Sequence, residues 1–473
     1  MRALDRLASS KGRFGPDVAK ETAGLLHQLR RARIRKPEDL IRFHEIVLYL
    51  RAYPQSPRVA ELADEILFHF DRRLEGAARD PFEDPEISGI AGTGLSTNFS
   101  YEVALSLATR YPDAIHIDWD NYEHTDRLGP QLARFIPLAG EDSTVEPHVD
   151  WRRWFESSGG NLRWLLDRIE PPVYDLLEIP LRWELDRSPA SRSLTRILRR
   201  DIFYHDAPFL SRRDVSLEAE FAAPKIPVER RSDAQEIVDL ILDTSAVRYR
   251  ELWGFTHPDV KHVYHADFGR GVEIFFFGVP PGWRLPLRAY HCGMFFKNGV
   301  PIGYVEGLSL FERMEVGFNL YYTFREGESA WLYARLLKLF REQLGVTCYS
   351  VDPYQLGHEN DEAIDSGAFW FYRKLGFRTV SPEVAPLIAL EERRIASNRE
   401  YRTSPATLRK LALAPLIYNG APEWDGFELR KLGAMPRLSP TLIRAKRAPE
   451  EVGYLRAMQR DVKLRARVLS FSI

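Results

Sequence analysis

The sequence predicts an α/β chain of the α+β kind: a mixed, mostly antiparallel sheet flanked by helices, with a largely helical N-terminal region before it and a C-terminal extension after it. Three observations carry that expectation. Through the first 225 residues, apolar side chains recur mostly at helical spacing, as in Leu40, Phe43, Ile46, Val47 and Leu50. Further on the period shortens, and Val272–Phe277, Tyr290–Phe296, Ile302–Leu310 and Glu315–Phe324 read as four successive strands. From Ala330 onward the helical period returns.

Each element has its own signal. Pro37 sits at a first helical turn, and Tyr53-Pro-Gln-Ser-Pro57 breaks that helix. A second helix begins near Val59 with Leu62, Ile66 and Phe70 on one face, which predicts an antiparallel pair. Residues 77–98, rich in Gly, Pro, Asp and Ser, read as a loop. Within it Gly89-Ile-Ala-Gly-Thr-Gly94 resembles a phosphate-cradling loop, but no Lys follows; a plain helix entry capped by Ser96, Thr97 or Asn98 is the simpler reading. A helix near 99–110 and a strand at Ala114–Asp118 come next, then a mostly helical stretch over 150–222. Pro224-Lys-Ile-Pro227 marks a boundary, and Ser232-Asp-Ala-Gln235 is a capping box before a helix carrying Ile237, Leu240 and Ile241. Asn298-Gly299 is a type I′ hairpin signal. An amphipathic helix over Ala330–Gln343, a strand over Val346–Val351 and a helix over Ala368–Lys374 follow. The expected segments are 1–225, 226–390 and 391–473.

Composition excludes several classes. A hydrophobic fraction of 44% and a charged fraction of 28% suit a globular protein, and a net charge of −1 gives no bulk attraction for polyanions. Two cysteines, Cys292 and Cys348, form no CxxC pair, so neither a zinc ribbon nor a disulfide framework is expected. No apolar run reaches signal-peptide or membrane length, which predicts a cytoplasmic protein without a membrane partner. His257, His262, His265 and Asp267 lie close in sequence but lack the i, i+4 pairing of helical ligands, and no metal site is expected. Asp118-Trp-Asp120 is too short to carry a metal–sugar-nucleotide reading. Residues 391–473 hold 17 Lys and Arg against nine Asp and Glu, with Arg456, Arg460, Lys463, Arg465 and Arg467 near the end. No nucleic-acid motif accompanies them, so nucleic acid is disfavoured as a partner, though this basic tail leaves it open.

The most specific motif is Asp365-Ser-Gly-Ala-Phe-Trp-Phe-Tyr372-Arg-Lys-Leu-Gly-Phe377. With the order helix, antiparallel strands, helix, strand, helix, it resembles the GNAT (N-acetyltransferase-like) superfamily over about residues 226–390. The matching positions are Asp365, Ala368, Tyr372, Lys374, Gly376 and Phe377, with Asp365 where the family usually has Asn. The resemblance implies an acyl-CoA-dependent N-acyltransferase using acetyl-CoA or another acyl-CoA on a small-molecule or peptide amine. Tyr372 would protonate the departing thiolate. The cofactor pyrophosphate would rest on the stretch Thr323, Phe324, Arg325, Gly327, Glu328, Ser329 and Ala330. Glu328 stands where the family has its first glycine, beside Glu326. Glu315, on the strand before that loop, and Glu306, on the neighbouring strand, are the candidate bases, because an ammonium must lose a proton before it attacks. The polar insert Asp352–Asp365 would supply His358, Glu362 and Asp365 to orient the substrate. Two other readings stand beside this one: a non-catalytic GNAT-fold binding or scaffold protein, and an aminoacyl-tRNA-dependent transferase.

Overall fold

The computed structural model describes residues 2–74, 80–82, 84, 87–145, 151–285, 287–425, 427 and 450–470. The expected loop at 77–98 and the expected extension from 391 therefore lie partly outside the described residues. The chain is mixed α+β and divides into two compact units. One comprises residues 1–197, 204–206 and 236–256, the other 198–203, 207–235 and 257–473.

The first unit opens with helices Arg2–Ser10, Pro16–Arg31, Pro37–Ala52 and Pro57–Phe68. Three of these begin on Pro, whose fixed φ suits a first turn and whose missing N–H would have no partner there. Ser56 adds a cap, its hydroxyl accepting from the Val59 N–H at 3.4 Å. Strands β1 (Gly94–Asn98), β2 (Ile115–Ile117) and β3 (Pro180–Glu184) form an antiparallel sheet in the order β1-β3-β2. Ser96, Thr97 and Asn98 thus lie in a strand and not in a helix entry; Ser100 precedes the helix Tyr101–Arg110 instead. The Gly89–Gly94 stretch feeds a strand, because residues 94–98 pair along their length with β3. The stretch 150–222 is less helical than its spacing suggests: after short helices Trp151–Ser157, Leu162–Leu166 and Pro171–Leu177 it contains β3 and long irregular backbone.

The helix Ala234–Ala246 shows why the boundary expected at 225/226 differs from the compact units. Leu242, Ala246 and Val247 are buried in the same core as Leu95, Val103, Leu107 and Trp183 of the first unit. The Asp243 carboxylate also accepts from Arg110 at 2.6 Å and from the Tyr111 hydroxyl at 2.5 Å.

The second unit is built on nine strands: β4 (Val228–Arg230), β5 (Tyr264–Gly269), β6 (Val272–Gly278), β7 (Ala289–Lys297), β8 (Val300–Leu310), β9 (Arg313–Leu320), β10 (Cys348–Val351), β11 (Arg378–Thr379) and β12 (Leu416–Tyr418). Their order is β11-β12-β10-β9-β8-β7-β6-β5-β4. Neighbours are antiparallel except β9 and β10, which run parallel. Every residue of β6 and β7 is buried, as expected of central strands covered on both faces. The hairpin at Asn298-Gly299 forms as its sequence predicts, both residues having positive φ (49° and 79°). β12 comes from the segment expected to be an irregular extension. It enters the sheet between β10 and β11, so residues 391–473 are not separate from the sheet. The terminal helices Glu451–Gln459 and Val462–Leu469 bury Tyr454, Leu455, Met458, Leu464 and Val468. Among the described residues no helix is long and apolar enough to cross a membrane.

Candidate functional site

The parallel pair β9–β10 creates an opening in the middle of the sheet. Only Arg313–Glu315 pair with Cys348–Ser350, whereas β9 continues to Leu320 beside β8. β10 stops because Asp352 turns the chain into the helix Pro353–Leu356, its carboxylate accepting from the Tyr354 N–H at 2.8 Å, and proline cannot extend a ladder. Beyond Glu315 the β10-facing edge of β9 has no strand partner among the described residues; at its far end the Leu320 carbonyl accepts from Arg325 Nε at 3.4 Å.

Register fixes which side chains meet there. Leu308 lies opposite Glu315, and Glu306 opposite Gly317 and Cys292. Residues two apart share a face, so Glu306, Glu315, Tyr290 and Ser350 all project to one side. Both candidate bases are therefore on one face. Burial pushes the Glu315 carboxyl up to about 7; Asp352 pushes the same way, while Arg313 and Arg288 pull it down. Glu306 is also raised by burial, held back by the Tyr290 hydroxyl that donates to it and by Arg288. Gly317 leaves space between them: a methyl there would lie 3.7 Å from Gln355 Nε2 and 3.8 Å from the Glu306 carbonyl oxygen. Arg288 and Tyr290 were not singled out from sequence; Asp352 and Gln355 fell within the polar insert expected at the site, but without a role of their own. The cross-strand position of Tyr290 diagonal to Glu306 was the available signal.

A second feature lies at the start of the helix Ser329–Leu344. Among the described residues no side chain caps this helix, so its first N–H groups and positive dipole end suit an anion. A cleft of about 410 Å³ adjoins it, lined by Gly327, Ser329 and Ala330, by the cations Arg212 and Lys374, and by the rings of Phe209, Trp370 and Phe371. Glu326 also lines it. Glu328 does not: it is buried and turned into an ion pair with Arg270, accepting from Nη2 at 2.6 Å and Nε at 3.0 Å. The Leu210 N–H adds a third bond at 2.9 Å. The residue that breaks the glycine pattern is thus neutralised away from the helix start. Beneath it Lys297 donates to the Arg270 carbonyl, and burial lowers its ammonium to about 7.

The remaining sequence candidates are placed differently. Thr323 and Phe324 are buried in a 3₁₀ turn after β9 has ended, and neither lines the cleft. Arg325 is half-exposed and pairs with Glu362, so a residue expected at the cofactor and one expected at the substrate hold each other. His358 and Asp365 are exposed. Tyr372 is 3% exposed and enclosed by Tyr333, Phe371 and Phe377, with ring centroids 5.1–5.9 Å away; burial pushes its phenol upward. The three clustered histidines do not converge: His262 bonds Asp259 at 2.7 Å, His265 lies between Glu229 and Glu273, and His257 packs at a tilt against Trp283.

Comparison with protein-family models, curated proteins and solved structures finds no match for this chain.

Proposed function

We propose that the second unit is an acyl-CoA-dependent N-acyltransferase of GNAT type. The observation that carries this reading is the opening between parallel strands β9 and β10, with Glu315 beside it and the uncapped helix start at Ser329 following β9 in sequence. An extended thioester arm can pair with the free edge of β9, as a strand would. Its phosphates suit the cleft at Gly327, Ser329 and Ala330, where helix N–H groups, Arg212 and Lys374 supply positive potential. Glu315, poised near neutrality, is suited to take a proton from an ammonium acceptor. The amine nitrogen then attacks the thioester carbonyl, its second proton passes to solvent, the C–S bond breaks, and the thiolate leaves. Open N–H groups along β9 are suited to hold the transient oxyanion. A thiolate whose acid has a pKa of about 8.5 can take its proton from solvent, so the step does not need Tyr372.

The test is thiol release from acetyl-CoA across a panel of primary amines. Turnover with at least one amine, reduced roughly 10²–10⁴-fold in Glu315→Gln, supports the reading. Turnover indifferent to Glu315 contradicts its assignment as base. A second reading, a non-catalytic GNAT-fold binding protein, is favoured by the enclosure of Tyr372 among three aromatic rings. It predicts cofactor binding without thiol release for any amine.

A further inference from the structure

The first unit carries an arginine-lined groove that acyl transfer does not use. It has a volume of about 1060 Å³ and lies where the Pro16–Arg31 helix ends, beside the connection 32–36 and the turn Asp71–Arg73. Among the described residues Arg30, Arg31, Arg33, Arg35, Arg72 and Arg73 line it, against one carboxylate, Glu65. Two of the six are committed to the fold. Arg30 grips both Glu65 oxygens at 2.6 and 2.5 Å. Arg73 closes the helix end by donating to the carbonyls of Leu29 at 3.2 Å, Ala32 at 3.3 Å and Arg30. Arg31, Arg33, Arg35 and Arg72 are exposed and have no hydrogen-bond or ion-pair partner among the described residues.

Cations in the last turn of a helix are explained by its dipole, which accounts for Arg30 and Arg31. It does not account for Arg33 and Arg35 in the connection, or for Arg72 in a separate turn. Four unpaired guanidiniums around one concavity repel one another unless an anion joins them. The whole chain has a net charge of only −1, so the concentration is local. Beside the arginines His69 also lines the groove, and it lies edge-on to Phe68 at 4.9 Å. Phe68 lies just outside the lining and is 53% exposed; Arg187 sits over one face of its ring at 4.7 Å, which leaves the other face for a base.

We propose that this groove binds single-stranded nucleic acid, with the unpaired arginines on successive phosphates and Phe68 as a stacking surface for a base. The guanidinium fork matches a phosphate bidentately, and an exposed ring beside a cationic groove is the arrangement that unpaired strands use. A small anion does not fill the groove, and a concave wall does not suit a flat membrane surface. The basic tail is a poorer candidate, because Arg465 is spent on Glu312 and Glu423 and Arg456 donates to the Gln343 carbonyl.

The experiment is fluorescence anisotropy of the full chain with a labelled single strand of about 20 nucleotides, between about 50 and 200 mM salt. Affinity falls linearly on a log–log plot against salt. Joint Ala substitution of Arg31, Arg33, Arg35 and Arg72 weakens binding at least about 10-fold and flattens the salt slope by roughly 2–3. Phe68→Ala weakens binding and leaves the slope unchanged. Arg460→Ala with Lys463→Ala in the tail changes neither. Should the fourfold variant fail to melt cooperatively, Arg33→Glu with Arg35→Glu gives the same reading with two exposed changes. Wild-type affinity and slope in these arginine variants overturn the proposal. So does equal binding of inorganic polyphosphate with no effect of Phe68→Ala, which marks a general polyanion groove. Binding to anionic vesicles but not to the oligonucleotide overturns it as well.

Discussion

Glu315 carries opposite consequences for chemistry and for stability. Its carboxyl rises from an ordinary 4.5 to about 7, so the folded state holds this proton more tightly than the unfolded chain does. For a raised carboxyl, the native state binds more protons between the two values, and stability falls as pH climbs through that window. Glu315→Gln removes the penalty. The variant should match the wild type at pH 4 in urea unfolding and exceed it at pH 8 by up to roughly 3 kcal/mol, less for the partial exposure of the group. A variant less stable at pH 8 would show that Glu315 is stabilised as a carboxylate. Glu328 gives the complementary case. Because it faces Arg270 and not the cleft, Glu328→Gln should lower stability by about 1–3 kcal/mol and should not tighten acetyl-CoA binding. Tighter binding in calorimetry would mean the carboxylate repels the ligand after all. Sequence could place Glu328 in the loop but not its direction, since its partner Arg270 is 58 residues away in the chain.

At the scale of elements, some local signals are legible in the sequence and pairing is not. The hairpin at Asn298-Gly299, the helix Ser329–Leu344 and the stop at Gly376 follow from turn residues and periodicity. Gly376 has φ of 101°, and a methyl group there would meet the Tyr418 ring at 3.3 Å. Gly376→Ala should therefore cost about 1–2 kcal/mol in urea unfolding. An unchanged midpoint would mean the turn relaxes without strain. β4, β5 and β12 escaped detection for a different reason. β4 and β12 have three residues each and β5 alternates weakly, so their strand character comes from neighbours and not from their own sequence. The shared face of Glu306 and Glu315 depends on the registers of β8 with β9 and of β7 with β8. A one-residue slip would have turned either side chain away. Arg288 and Asp352, two of the charges that act on the buried Glu315, lie outside the strand that carries it.

Over the whole molecule, long-range insertions hid the organisation. The helix Ala234–Ala246 contributes to the core of the first unit although it precedes most strands of the second in the chain. The C-terminal helices look like a solvated basic tail in sequence, yet they complete the second unit. The Glu451 carboxylate accepts from the Tyr290 N–H and from Arg284, whose side chain is 0% exposed, while Tyr454, Leu455 and Met458 are fully buried. Removing residues 450–473 would uncover the apolar surface that Tyr454, Leu455 and Met458 bury and would leave Arg284 and the Tyr290 N–H without Glu451, at a cost of several kcal/mol. We expect that truncation to abolish cooperative melting of the second unit in calorimetry. Substituting the exposed Arg460 and Lys463 should shift stability by no more than about 0.5 kcal/mol. A truncated chain that melts like the full one would mean these helices are dispensable.

The acyl-transfer reading depends above all on whether the cleft at the start of the Ser329–Leu344 helix accepts coenzyme A. Isothermal titration of the full chain with acetyl-CoA near pH 7.5 measures this directly. The geometry predicts a single saturable site in the micromolar range, weakened roughly 10-fold or more when Arg212 and Lys374 are both changed to Ala, and kept when Tyr372 is changed to Phe. An absence of binding at millimolar acetyl-CoA, or binding indifferent to Arg212 and Lys374, would contradict it.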